Sequence, residues 1–267
     1  MQYVKWPIAR DAEAVALGHA DIGGAWAGDV IVRADGYDSL VVLSGMHAGC
    51  AEVFGGNRIS AFRDLKGKKV AIGSANDIPH IFFSLIVSYI GIDPQHDIEW
   101  VTLPYDQWGQ ALAEGEVDAI LLWPPAVQQF RESGIGHVVW NMTTDRPWRQ
   151  YFCCMVVANR QFVENNPIAA KRALRAMLKA TDMCALQPER AAKSLVASGF
   201  PVDYKRALQV FREVPYGDWR EYDPIDTLRF YALRLHDIDM IEQAPDDILE
   251  KSGDWRFLNE LMRELKA

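Results

Sequence analysis

The sequence predicts an α/β fold of two lobes joined by a double hinge, and three observations carry that prediction. Strand and helix patterns alternate through roughly the first half of the chain; residues 69–141 hold an uninterrupted βαβαβαβ block; and the remainder, after one further extended run, is mostly helical. Alternation of this kind calls for largely parallel strands, and a βα block set between an earlier α/β portion and a later helical portion calls for two crossings. The crossings fall near residues 50–54 and 149–155, with a single two-layer domain as the alternative. With 267 residues, 49% of them hydrophobic, the chain can fill one large core or two modest ones.

In chain order, residues 4–6 suit a strand and residues 10–17 a short helix ending at Gly18. Residues 20–23 suit a strand followed by the loop GAWAGD, residues 40–43 another strand, and residues 50–54 a further extended segment. The most informative stretch is DLKGKKVAIGSANDIPHIF at residues 64–82, a basic turn, a buried strand, a short polar loop and a helix start near Asp77. Such a corner joins a strand's carboxyl end to a helix's amino end, where open α/β sheets hold ligands and free backbone N–H groups point outward. Strands follow at residues 98–102, 119–122 and 137–140, separated by helices from Asp106 and from Ala126, and residues 152–157 form one more extended run. Asn166, Gln187 and Asp223 each precede a proline, which fits the first turn of a helix because its missing N–H has no partner there in any case. Leu174, Met177, Leu178 and Thr181 recur at helical spacing and form the buried face of the helix from Pro167.

Composition excludes several classes. The formal charge is −8, and the only basic cluster is Lys66, Lys68 and Lys69, which argues against nucleic acid as a partner. The longest apolar stretch, residues 78–92, is interrupted by Pro79, His80, Ser84 and Ser88, so no segment inserts directly into a membrane. The opening MQYVKWPIARDAEAV lacks the basic, apolar and small-residue regions of a secretory signal. Cys50, Cys153, Cys154 and Cys184 contain no CxxC pair, and a bridge between adjacent cysteines would be strained. This spacing predicts buried free thiols, with no disulfide framework and no zinc site.

The candidate ligand-binding residues cluster at predicted strand ends. Ser74, Ala75 and Asn76 offer a hydroxyl, an amide and backbone N–H groups at the helix start, although Ser or Asn there is also an ordinary cap. His80 lies one turn on and opens an i, i+4, i+8 polar lane with Ser84 and Ser88. Trp26 and Trp123 sit at predicted strand ends, as aromatic walls or as core. His47 and Gly49 lie in GMHAGC before the first crossing, and Tyr151 and Cys153 lie on the second; each faces a ligand or packs. No catalytic residue, metal or cofactor is assigned.

Four segments in order, GMHAGC at 45–50, DLKGKKVAIGS at 64–74, EGEVDAILLWPP at 114–125 and DRPWRQYFCCMVVANRQFV at 145–163, resemble one known group. The chain is similar to the NMT1/THI5-like and nitrate/sulfonate/taurine-type substrate-binding proteins of ABC transporters. The resemblance runs nearly to DWRFLNELMRELKA at 254–267. It implies a type II periplasmic-binding-protein fold, with lobe 1 formed by residues 1–55 and 149–267 and lobe 2 by residues 56–148. It also implies a small-molecule ligand in the cleft, delivery to an ABC transporter permease, a monomer, and a periplasmic location. Members of the group begin with an export signal, then a strand and helix ahead of the segment matched by residues 3–6. The expectation is therefore a lobe 1 whose first βα unit is missing, through a downstream start or a genuinely shortened form.

The ligand class follows from charge. A helix amino terminus favours an anion by about 0.3–1 kcal/mol, but Asp77 already places a carboxylate in that first turn. Neither the GSAND nor the GMHAGC loop holds an arginine to clamp a sulfonate or phosphate. Tryptophans, a histidine and small polar groups suit a neutral or weakly charged heteroaromatic better. Two other functions stay open. Some relatives of this fold synthesise the thiamin pyrimidine from pyridoxal phosphate with iron, and residues 151–154 are faintly similar to their cysteine motif. A cytosolic ligand-sensing domain is the other, consistent with the lack of a signal.

Overall fold

The computed structural model of the chain describes residues 2–4 and 10–265, and these fall into two compact units. The first takes the described residues up to Ala48, then Gln150–Arg190 and the described residues from Pro215 onward; the second takes Gly49–Arg149 and Ala191–Val214. The expected strand at residues 4–6 runs into positions outside the described residues.

The first unit opens with α1 (Asp11–Ala16), β1 (Ile22–Trp26), α2 (Ala27–Gly36) and β2 (Leu40–Ala48). The second supplies β3 (Glu52–Gly55), β4 (Lys68–Ile72), α3 (Ile78–Tyr89), β5 (Ile98–Thr102), α4 (Trp108–Glu114), β6 (Ala119–Leu122), α5 (Ala126–Ser133) and β7 (His137–Asn141). The chain re-enters the first unit at β8 (Phe152–Asn159), followed by α6 (Arg160–Asn165) and α7 (Pro167–Leu186). After these come α8 (Pro188–Ala197), in which the unit boundary falls, and α9 (Tyr204–Glu213). The first unit closes with α10 (Pro224–Asp237), α11 (Pro245–Ser252) and α12 (Arg256–Glu264).

The first unit's sheet has the order β1-β8-β2, with β8 antiparallel to both neighbours. The second unit's sheet has the order β5-β4-β6-β3-β7; β4 is parallel to β5 and β6, and β3 is antiparallel to β6 and β7. Strand direction is therefore mixed, not largely parallel. The exceptions have one cause: β3 and β8 are the strands that follow a passage of the chain from one unit to the other, and each is inserted between strands that would otherwise form a parallel βαβ pair.

The loop expected at GAWAGD is absent, because α2 starts directly after Trp26. Gly28 suggests a break in the sequence, but its place in the helix is fixed by packing: a Cβ there would run into the Trp26 ring. The second unit also extends beyond residues 56–148. Helix α9 joins it through Arg206 to Glu132 at 2.9 Å and Gln128 to Glu213 at 2.9 Å, pairs carried by α5 and α9.

Hydrophobic burial explains the second unit's layers. One core gathers Phe54, Ala71, Trp108, Leu112, Ile120 and Val127. A separate aromatic cluster packs Phe82 on Trp140 at 5.2 Å between ring centroids and Trp140 on Trp148 at 6.1 Å. Trp148, the tryptophan of DRPW, is fully buried, so this motif serves packing.

Candidate functional site

In the sheet order β5-β4-β6, strand order reverses at β4, and the loops after β4 and β6 flank the reversal. Open α/β sheets bind ligands at such a switch point, outside the strands' carboxyl ends. Ser74, Ala75 and Asn76 occupy the first of these loops, and Trp123 the second. Ser74 is half-buried, Ala75 and Asn76 are exposed, and Asn76 has a left-handed φ of 59° that an asparagine tolerates.

Asp77 organises the corner. Its carboxylate accepts from the backbone N–H groups of Gly73 at 2.7 Å, Ser74 at 2.9 Å and His80 at 2.9 Å, and from the Tyr105 hydroxyl at 3.0 Å. The donors that a bound anion would use at this helix end are held by the protein's own carboxylate, which is only 5% exposed. Glycine at 73 permits this, since a Cβ would lie 2.7 Å from the Asp77 carboxylate and 2.9 Å from the Tyr105 ring.

His80 faces the backbone. The Asn76 N–H donates to its Nδ1 at 3.0 Å, which leaves the ring proton on Nε2, and the ring meets Trp100 edge-on at 4.7 Å. Burial lowers its pKa below the ordinary histidine value, against the opposing pull of Asp77, so the imidazole is neutral at neutral pH. Along the expected polar lane, Ser84 is buried and Ser88 donates to the Leu85 carbonyl. Trp123 is half-buried and packs edge-on to Tyr105 at 5.8 Å. Tyr105, absent from the residues selected by sequence, thus links Asp77 to Trp123. Its signal was present, since LPYDQW follows β5 as GSAND follows β4.

A separate cavity of about 250 Å³ opens elsewhere in the second unit, lined by Glu52, Gln128, Arg131, Asn141, Thr143 and Glu213 among others. Arg131 is bound there by two carboxylates, Glu52 through both oxygens and Glu213 at 3.0 Å. Burial raises the Glu52 pKa against the pull of the arginine, and the bond to Glu52 raises that of Arg131. This guanidinium is occupied and supplies no anion clamp. Gly49, also in this unit, is buried against Thr143.

The remaining selected residues belong to the first unit. Trp26 ends β1, buried, with Tyr231 edge-on at 5.7 Å. Tyr151 stacks on Phe230 at 3.8 Å between centroids. His47 is 6% exposed, its Nδ1 is 3.2 Å from the Ala48 carbonyl, and its ring lies 5.0 Å from that of Tyr216. Cys153 is buried, and its Sγ is 4.0 Å from that of Cys154. None of the four cysteines is in a disulfide, and of the four only Cys153 is fully buried; Cys50 belongs to the second unit. The spacing shows no zinc motif, yet the fold brings His47, Cys153 and Cys154 together, their donor atoms within 4.8 Å of one another. Asp11 lies near enough that a Cys154 thiolate adds to the rise in its pKa, after burial as the larger cause. Among the described residues no helix is long and apolar enough to cross a membrane.

Comparison with known proteins agrees with this architecture. A binding protein of Brucella abortus is 24% identical over 181 residues, 67% of this chain and 55% of the relative, so the chain spans about half the length of the curated relatives it matches. The nitrate-binding protein NrtA from Synechocystis superposes with a TM-score of 0.76 at 15% identity, over 96% of this chain and 78% of that one. The alkanesulfonate-binding protein SsuA from Xanthomonas axonopodis, solved with MOPS bound, gives a TM-score of 0.71 at 15% identity, over 87% and 80% of the two chains. These likenesses establish the type II periplasmic-binding-protein fold. The family profile matches residues 24–198, about two thirds of the sequence, and on that match the chain belongs to the NMT1-like family.

Proposed function

We propose that this chain is the solute-binding component of an ABC importer, working in the periplasm as a receptor and not as an enzyme. It would capture a small organic molecule and present it to a membrane permease. The family match and the likeness to ligand-binding components of import systems support that reading. The ligand we propose is a neutral or weakly charged heteroaromatic, in contrast to the sulfonate and nitrate in the neighbours' names. One observation carries this choice: Asp77 fills the helix terminus that would otherwise attract an anion, with Tyr105 and Trp123 beside it as aromatic surface. Ser74, Ala75 and Asn76 would supply polar contacts along that edge.

A thermal-shift screen of pyrimidines, flavins, alkanesulfonates and nitrate tests the proposal, because a ligand that binds only the folded state raises its apparent stability. A heterocycle should stabilise the chain, and Trp123→Ala should weaken that binding about tenfold, the ~1.4 kcal/mol scale of one aromatic contact. Tight sulfonate or nitrate binding with no response to heterocycles would refute the ligand assignment.

A further inference from the structure

The end of β2 and the start of β8 bring a histidine together with two adjacent cysteines that follow it about a hundred residues later in the sequence. In a regular strand, successive side chains point to opposite faces, so adjacent cysteines cannot serve one site. Here the ladder between the two strands shifts register between Gly45 and His47 and again between His47 and Ala48. His47 pairs with Cys154 and Ala48 with Phe152, which leaves Cys153 as the extra residue of a bulge. Bulges re-aim side chains, and the Cys153 and Cys154 sulfurs converge to 4.0 Å.

The histidine is oriented to join them. Its Nδ1 faces the Ala48 carbonyl, which can only accept; Nδ1 therefore carries the proton and Nε2 the lone pair. A metal-bound imidazole commonly donates its other N–H to a carbonyl in this way, which fixes both tautomer and ring direction. Tyr216 packs against the same ring. His47 is 6% and Cys153 1% exposed, a water-poor setting that favours bonding to a metal over hydration, while Cys154 is half-buried.

We infer that His47, Cys153 and Cys154 form a binding site for one thiophilic metal ion of the zinc, cadmium or copper(I) class. Donor atoms within 4.8 Å of one another can close on a tetrahedral ion with small side-chain rotations. One imidazole and two thiolates are soft or borderline ligands, which select such ions against magnesium and calcium. On binding, each thiol yields its proton to solvent and forms a metal–sulfur bond, with no change of oxidation state. The site goes beyond the proposed heteroaromatic site and rests on different residues.

The test is a titration of the reduced full chain with cadmium, read by thiolate-to-metal charge-transfer absorbance and by cadmium NMR. One equivalent per chain should bind, with a cadmium shift in the range of a mixed sulfur and nitrogen donor set. Cys154→Ser and His47→Gln should each weaken binding at least tenfold, while Cys184→Ser, at a cysteine outside the cluster, should leave it unchanged. Absence of the charge-transfer band at equimolar metal would overturn the inference. Equal affinity in Cys154→Ser, or a cadmium shift typical of oxygen donors only, would also overturn it. Because the wild-type NMR shift reports the donors directly, a variant that fails to fold does not remove the test.

Discussion

Asp77 shows how one side chain sets the chemistry of a corner. It accepts four hydrogen bonds, three from backbone N–H groups and one from Tyr105, and so works as helix cap, loop brace and substitute anion. Replacing a capping Asp by Ala typically costs about 1 kcal/mol, and leaving partly buried donors unpaired adds a similar amount. Asp77→Ala should therefore lower unfolding stability by about 2 kcal/mol in urea. The vacated terminus should then take an external anion, so that sulfate stabilises the variant more than it stabilises the wild type. Equal sulfate responses in the two proteins would show that Asp77 does not occupy an anion position.

Among the elements, the central βαβαβαβ block was legible in the sequence because apolar runs, glycines and helix periods agree there from Lys68 to Asn141. Helix α2 was not, because Gly28 breaks the local signal and only the Trp26 indole lying over it explains the residue. The corner at Ser74 and Asn76 was visible for the same local reasons as the block. The meeting of His47 with Cys153 and Cys154 depends on a bulge between distant strands, which no spacing rule encodes. Helix caps show the same limit. Asn166 and Asp223 look equivalent before their prolines, but only Asp223 makes a side-chain cap, accepting from the Ile225 N–H at 2.8 Å. Asp223→Ala should cost about 1 kcal/mol and Asn166→Ala less than about 0.5 kcal/mol in chemical denaturation. Equal losses would mean that the proline, not the cap, fixes the start of each helix.

For the whole molecule, Asp29 in α2 makes stability depend on pH. It has no solvent exposure, and desolvation raises its pKa to about 6 despite the Arg33 Nε at 3.0 Å. A carboxyl whose folded pKa lies above its unfolded value binds more protons when folded, so its contribution to stability is greatest in acid. That contribution is full below about pH 4 and is lost as pH rises through about 6, by up to roughly 3 kcal/mol. Asp29→Asn should therefore gain on the wild type steadily between pH 4 and pH 7 when urea midpoints are compared. A difference that stays flat over that interval would show that Arg33 holds the carboxylate ionised throughout.

The threading of β8 between β1 and β2 also governs how the protein is made. Among the described residues both strands take β8 as their neighbour in the sheet, and β8 starts at Phe152, about a hundred residues after β2 ends at Ala48. A ribosome delivers the whole β3–β7 segment before that partner emerges. The second unit's sheet, by contrast, contains β3 to β7 alone and can assemble from contiguous residues. Until β8 emerges, β1 and β2 lack the neighbour they have in the fold, and unpaired strand edges of this kind are prone to aggregate. The sheet that draws its strands from both sides of the β3–β7 segment thus closes only after that segment has been made.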